Sequence, residues 1–504
     1  MISTQSRLST ALSFLILLVF SVDAGALTVS LNRAAGVSSP FQLSISGTSN
    51  SIQYGVQRSS NLKDWTSVGA VIGNGGTVPF TDLTSVGLSQ GFYRLGPAPQ
   101  KEIWIAVRAD GLPGTGTQAD PFDGSTAHKF DAILDSNYFV PNVWVHLMGV
   151  GPFRVNTSHS YNVRPGWVIS GDGMYSTTVQ LVGSLAGMTS GATVFASDPN
   201  ISTDNAVIRD LTIDCNWPGI GTSAPDGVNG EKSTGVNAVI ISGNNNLLER
   251  VRCINTYGSR ANKKEKFAMF LTAPRNGEGT NNIIRECRAE LPHGNYGNPF
   301  ALAGWTFSPP FYFIANSKVI SCTAVGINSG RSEGFTSGGV NLGHIKNCEV
   351  DGNTFIDCYG AAYLDVNEID GLRVTNNTVV RGWEGVGLVS VHNKRNITIS
   401  GNNFLIQNRS PGGANYGIVV GSGPENQTIT NSNVTITNNT INFDVTGQGT
   451  IAFWGIATSL LNGANISNNT IGVVWPLTNN AIGTGVILSN NLMSDGSHVV
   501  WRAF

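Results

Sequence analysis

The chain has 504 residues, only 12% of them charged, and a formal net charge of −2 at pH 7. With no Lys/Arg cluster interleaved with aromatics, it offers no nucleic-acid footprint and no anionic-membrane surface, so the expected partner is neutral or carbohydrate-like. Glycine is abundant, at 61 residues, and amphipathic helical periodicity is almost absent, which excludes a stack of helical domains.

At the N-terminus Arg7 precedes the apolar run Ala11 to Phe20, and small residues follow at Ala24 and Ala26. This pattern predicts a secretory signal peptide over residues 1–26, hence a secreted, periplasmic or cell-surface protein. No later segment holds the ~20 uninterrupted apolar residues that a membrane span requires.

From Leu27 to about residue 96 the text alternates apolar and polar residues between Gly, Ser and Asn turns, as in FQLSIS, IQYGVQRS and GGTVPFTD. Five or six short antiparallel strands of a small β-sandwich follow, expected to serve as a spacer or attachment module. Its Tyr54 and Trp65 read as core fillers rather than sugar-stacking rings. Gly96-Pro97-Ala98-Pro99-Gln100 reads as a linker.

The remainder, 101–504, is repetitive. One phrase, apolar–polar–Gly/Asn–Asn, recurs as VDGNTF, VTNNTV, ISGNNF, ITNNTI, ISNNTI and LSNNL, placing Asn353, Asn377, Asn402, Asn439, Asn469 and Asn491 in register. Their spacings of 24, 25, 37, 30 and 22 residues fit the coils of a parallel β-helix with occasional insertions. Coils stack ~4.8 Å apart, so identical side chains form ladders, and the turning residue must be Gly or Asn to reach positive φ. Between these phrases lie strands such as GVNAVIIS, KFAMFLTA, FYFIANS, GAAYLDV, EGVGLVS and YGIVVGS. At least nine coils are expected from about Ala206 onward. Residues 125–136 read as a helix capping the first coil, with Phe130, Ile133 and Leu134 on one face.

The lead-in IWIAVRADGLPGTGTQADPFDGST (Ile103 to Thr126), followed by a short helix and NN-containing coils, resembles the pectin lyase-like superfamily of right-handed parallel β-helices, especially bacterial secreted members. That resemblance implies a polysaccharide partner and carbohydrate chemistry: polysaccharide lyases and glycoside hydrolases, alongside non-catalytic adhesins. The hydrolase set of that superfamily needs paired aspartates, a GHG and an RIK; this chain offers Gly343-His344-Ile345 and no adjacent Asp pair, which favours a lyase. Lyase chemistry of this kind admits a calcium ion held by Asp and Glu oxygens together with an Arg or Lys base. The alternative is a non-catalytic carbohydrate-binding or surface protein whose solenoid is a rigid rod. A monomer is expected.

Register supplies the candidate catalytic column. His344 lies nine residues before Asn353, Glu368 nine before Asn377, and His392 ten before Asn402, with Asp365, Asp370 and Lys394 close by. Stacked on neighbouring coils, such groups shift one another's proton affinity and suit acid/base work. The competing reading is a solvated turn of compensated charges. Substrate-binding candidates are the insertion His293 to Phe307, with Tyr296, Phe300, Trp305 and Phe307, and the trio Arg381, Trp383 and Glu384; a lid packed on the core is the competing reading for the insertion. The six cysteines are expected to be unpaired, with Cys287, Cys322 and Cys348 forming one inward ladder.

Overall fold

The computed structural model describes residues 28–32, 41–48, 53–60, 66–72, 75–82, 85, 88, 91–97 and 101–503, less segments at 160–161, 186–187, 189–190, 218, 221–234, 259–265, 291–296, 305–310, 327–338, 365–367, 390–391, 408–414, 422–430, 445–452, 459–460, 473–474, 480–485 and 500. The leader over 1–26, Trp65, Tyr296, Trp305, Phe307 and Asp365 lie outside the described residues. The chain divides into two compact units, Met1–Lys101 and Glu102–Phe504.

Among the described residues the first unit has six strands, Thr28–Asn32, Phe41–Ser46, Gln53–Ser59, Thr66–Ile72, Val78–Asp82 and Phe92–Pro97, paired as two three-stranded antiparallel sheets. Alternation puts Phe41, Leu43, Ile45, Val56, Val71 and Tyr93 into one core, against which Tyr54 packs. The buried Asp82 carboxylate accepts the Tyr93 hydroxyl at 2.8 Å and pairs with Arg58 at 2.5 Å, so the charge in this core is compensated. The last strand runs through Pro97, so Gly96 and Pro97 belong to it rather than to a linker.

In the second unit strands Lys101–Ala106 and Phe122–Asp123 lead into a capping helix, Ala127–Ser136. Thr126 is its N-cap, its hydroxyl accepting the Lys129 amide, and Phe130 and Leu134 are buried while Ile133 is half-buried. The Phe130 ring lies 5.7 Å from that of Phe153 on the first coil, covering an otherwise open edge.

Beyond it the chain winds into parallel coils. One sheet has eleven strands, from Ala192–Ala196 through Val386–Val389 to Trp501–Ala503. A 26-stranded sheet supplies the other faces, because its long strands, such as Val207–Asp214 and Leu247–Ile254, bend at a left-handed residue, Asp210 and Arg250 respectively. The inward ladder Val145, Ile169, Ile208, Leu248, Ile284, Val319, Val350, Val374, Ile399, Ile436, Ile466 runs almost the length of the solenoid, and every member is buried. Burying each such side chain contributes ~1.5–3 kcal/mol, so the core is built by repetition of one position rather than by a central packing centre. Stacking begins upstream of the Asn phrases, where Lys101–Ala106 pairs with Val143–Met148 in the same sheet, as the expected span 101–504 requires. FYFIANS is also placed differently: only Ile314–Ala315 is a strand, and it joins the larger sheet, while Gly297–Ala303 and Val340–Gly343 continue the eleven-stranded one.

The asparagine column forms as the repeat predicts. The Asn353 side chain donates to Asn377 Oδ1 at 2.9 Å, and the same bond repeats from Asn377 to Asn402, Asn439, Asn469 and Asn491. Each amide also donates to a backbone carbonyl of the preceding coil, so these buried groups are satisfied. The residue before each is left-handed: Gly352, Asn376, Gly401, Asn438, Asn468 and Asn490, which is why the phrase reads GN or NN.

All six cysteines are buried and form no disulfide, but the expected three-member ladder is corrected. Cys287 and Cys322 continue the asparagine column upward: the Cys287 amide donates to Cys322 Sγ and the Cys322 amide to Asn353 Oδ1. Cys348 belongs to another corner, in register with Leu372. It sits five residues before Asn353, near the start of a strand that bends, so the similar flanking text IKNC does not mark the same rung.

Candidate functional site

The trio Arg381, Trp383 and Glu384 lies where the chain leaves strand Thr378–Gly382 and enters strand Val386–Val389 of the eleven-stranded sheet. The amides of Trp383 and Glu384 both donate to the Tyr359 carbonyl, at 2.9 and 2.7 Å, which fixes this bend against the coil before it. The Tyr359 ring lies 5.3 Å from Trp383 and 5.2 Å from Tyr363. Tyr363 stands in register with Gly387, and a Cβ at Gly387 would lie 2.1 Å from Glu384 Oε2. Glu384 thus folds its carboxyl over a strand position that lacks a side chain, beneath the tyrosines.

Glu384 is 8% exposed. Burial pushes its proton affinity up, to a pKa of about 7, against the opposing hydrogen bond from Tyr359. No second carboxylate acts on it among the described residues. Burial, the Glu384 charge and the shared hydrogen bond together hold the Tyr359 phenol far above its usual range, and burial with the same charge raises Tyr416. A carboxyl that titrates near neutrality, bonded to a phenol and walled by aromatic rings, can accept and return a proton at physiological pH.

Arg381 does not join this cluster. It is left-handed, with φ 56°, and its guanidinium pairs bidentately with Asp357, a left-handed residue of the preceding coil, at 2.9 and 2.7 Å. The Asp210–Arg250 pair repeats the arrangement at 2.6 and 3.0 Å, marking both as turn ladders.

The expected His344–Glu368–His392 column is corrected. Ile345, Ile369 and Lys394 are in register, so the residues preceding them, His344, Glu368 and Asn393, share a rung position. Asn393, nine residues before Asn402, takes the place expected of His392, whose spacing of ten moves it off. His344 is buried against Phe311, ring centroids 4.4 Å apart, and its ring is 6.1 Å from that of His392. The Glu368 carboxylate pairs with Arg395 at 3.2 Å at the surface, and Arg395 also pairs with Asp370 at 3.1 Å. Such exposed pairs are worth little. Lys394 is fully buried, donates to the His392 carbonyl at 2.9 Å, and burial pulls its pKa down to about 8. Phe300, expected in an aromatic insertion, is a core residue between Met269 and Val340.

Tyr359, Tyr363 and Tyr416 were not anticipated. A signal existed for the first: Tyr359 lies six residues after Asn353 and Trp383 six after Asn377, the same register rule that found the asparagines. Among the described residues no three His, Cys, Asp or Glu side chains converge as a metal site. The donor set therefore does not fit a calcium cage there, and no chemical step below uses one. Nor does any helix among them have the length and apolarity to cross a membrane.

No protein-family model matches the chain. No curated protein sequence matches it. Solved structures similar to it include the tailspike protein of E. coli bacteriophage HK620, determined in complex with a pentasaccharide, with 18% identity, a TM-score of 0.53, and coverage of 73% of this chain and 63% of the tailspike. The Dettilon tailspike protein is similar at 13% identity with a TM-score of 0.51, covering 75% of this chain and 66% of that one. The chain thus spans under two thirds of either tailspike, and at these identities the likeness concerns architecture. That architecture is the right-handed parallel β-helix.

Proposed function

We propose that this is an exported, polysaccharide-active β-helix protein that cleaves a glycan by elimination, with Glu384 as the proton-transfer residue. The observation that carries this reading is the enclosed Glu384 carboxyl, hydrogen-bonded to Tyr359 and titrating near neutrality. Elimination needs one base and one acid, whereas glycoside hydrolysis ordinarily needs two carboxyl groups flanking the bond. The Glu384 carboxylate takes the proton from the sugar carbon, the carbon–oxygen bond to the leaving sugar breaks as the double bond forms, and Tyr359 protonates the leaving oxygen. Once Glu384 is protonated, the charge that holds the phenol proton in place is gone, so Tyr359 becomes a better donor at the moment it is needed. Glu384 then returns its proton to Tyr359, and the cycle closes without net proton change. Saccharide-bearing tailspikes of the same architecture support a glycan as the ligand class.

A binding-only reading has one observation in its favour: Tyr416 and Trp454 stand in register on successive coils, a spacing that suits rings laid under consecutive sugars. Purified protein incubated with a glycan panel separates the two. Elimination produces ultraviolet-absorbing unsaturated ends, lost in Glu384→Gln and reduced by ~10²–10⁴-fold in Tyr359→Phe. Binding with no such product in the unaltered protein overturns the lyase reading.

A further inference from the structure

At the N-terminal end of the β-helix a second group of side chains surrounds a cavity of about 450 Å³. Tyr138, Phe139 and Pro141 enter it from the turn after the capping helix, Arg164 and Pro165 from the loop before strand Val168–Ser170, and Ile201 from the loop after strand Ala192–Ala196. Its walls are apolar apart from one guanidinium. Arg164 lies flat on Tyr138, its Cζ 3.1 Å from the ring centroid, and is only 9% exposed. It makes no ion pair with any described residue, and its Nε is enclosed without a hydrogen-bond partner. Asp198 is the acidic group whose charge reaches it, and that carboxylate is engaged by Asn200. At the rim Phe139, packed edge-on against Tyr138 at 5.0 Å, is 92% exposed.

A cation withdrawn from water without a counter-ion is costly, and the ring beneath it offsets only part of that cost. A planar guanidinium fork matches a carboxylate, and an exposed aromatic ring matches the apolar face of a pyranose. A cavity of this size accommodates one or two sugar units. We propose that this cavity is a separate binding site for a uronate residue of an acidic glycan, its carboxylate on Arg164 and its ring against Phe139. The site belongs to the first coils and the cap, so it anchors a glycan independently of any chemistry at Glu384.

The test uses the full chain carrying Glu384→Gln, so that no substrate is consumed and failure of the lyase reading leaves the measurement intact. Calorimetric titration with oligomers of galacturonate, mannuronate, guluronate and glucuronate, and with a neutral oligomer of equal length, reads the affinity. At least one uronate oligomer binds, the neutral oligomer binds tenfold or more weakly, and Arg164→Gln and Phe139→Ala each weaken uronate binding about tenfold. Because Phe139 is so exposed, its variant keeps the parent melting temperature, which separates lost contact from lost fold. Equal binding of neutral and acidic oligomers, uronate binding unchanged in both variants, or no binding of any uronate oligomer overturns the proposal.

Discussion

Glu384 and Gly387 occupy one space: the carboxyl oxygen of the first lies 2.1 Å from where a Cβ of the second would stand. Gly387 shows no left-handed φ, so alanine there is acceptable to the backbone and the effect of substitution is steric. Gly387→Ala is expected to cost about 1–3 kcal/mol, the ordinary penalty of overpacking, and to expel the carboxyl from its enclosure. Glu384→Ala in the same chain relieves most of that cost. Chemical denaturation of both single variants and the double variant measures the coupling; a coupling energy near zero means that the two residues do not compete.

The raised Glu384 pKa has a defined effect on stability. Between its ordinary value of 4.5 and the folded value of about 7, the folded protein holds a proton that the unfolded chain has lost. Stability from this group is therefore full below about pH 4.5, falls as pH rises toward 7, and is flat above, a loss of about 3 kcal/mol in all. Glu384→Gln removes that component, so the stability difference between variant and parent grows across this window in the variant's favour. Urea denaturation at pH 5 and pH 8 tests the sign.

Lys394 gives the opposite slope. Its pKa falls from 10.5 to about 8 in the folded state, so between those values the unfolded chain binds more protons than the folded one. Stability relative to Lys394→Met rises from about pH 8 to pH 10.5, by about 3 kcal/mol, and is level below pH 8. Denaturation of the pair at pH 7.5 and pH 10 reads this directly, and parallel profiles would show that the ammonium keeps its ordinary proton affinity.

Cys322 holds the place of an asparagine. Its Sγ approaches the Ile284 carbonyl at 3.6 Å, where Asn353 one coil on donates to the Val319 carbonyl, and its amide already donates to Asn353 Oδ1. Cys322→Asn is expected to extend the column at a change in stability of less than about 1 kcal/mol. Cys348→Asn, in register with Leu372, buries an amide without that partner set and costs about 2 kcal/mol or more. Thermal denaturation ranks the two, and equal losses would remove the distinction between the corners. Under denaturing conditions without reductant, six thiols titrate.

Periodicity by itself determined the solenoid: a turn that needs positive φ selects Gly or Asn, and a buried stacked amide selects Asn, so Asn353 to Asn491 announce their shared column in the text. The capping helix was legible for a similar reason, since Phe130, Ile133 and Leu134 recur at helical spacing. Local spacing failed where a coil contains an irregularity. One extra residue puts Asn393 rather than His392 on the Glu368 rung, and a bend within a strand separates Cys348 from Cys322. The Glu384 enclosure was decided only by tertiary structure. Its walls come from different coils, separated by insertions of unequal length, and its room comes from Gly387, a residue whose contribution is the absence of a side chain. Proton affinity depends on that enclosure in space, and no linear spacing encodes it.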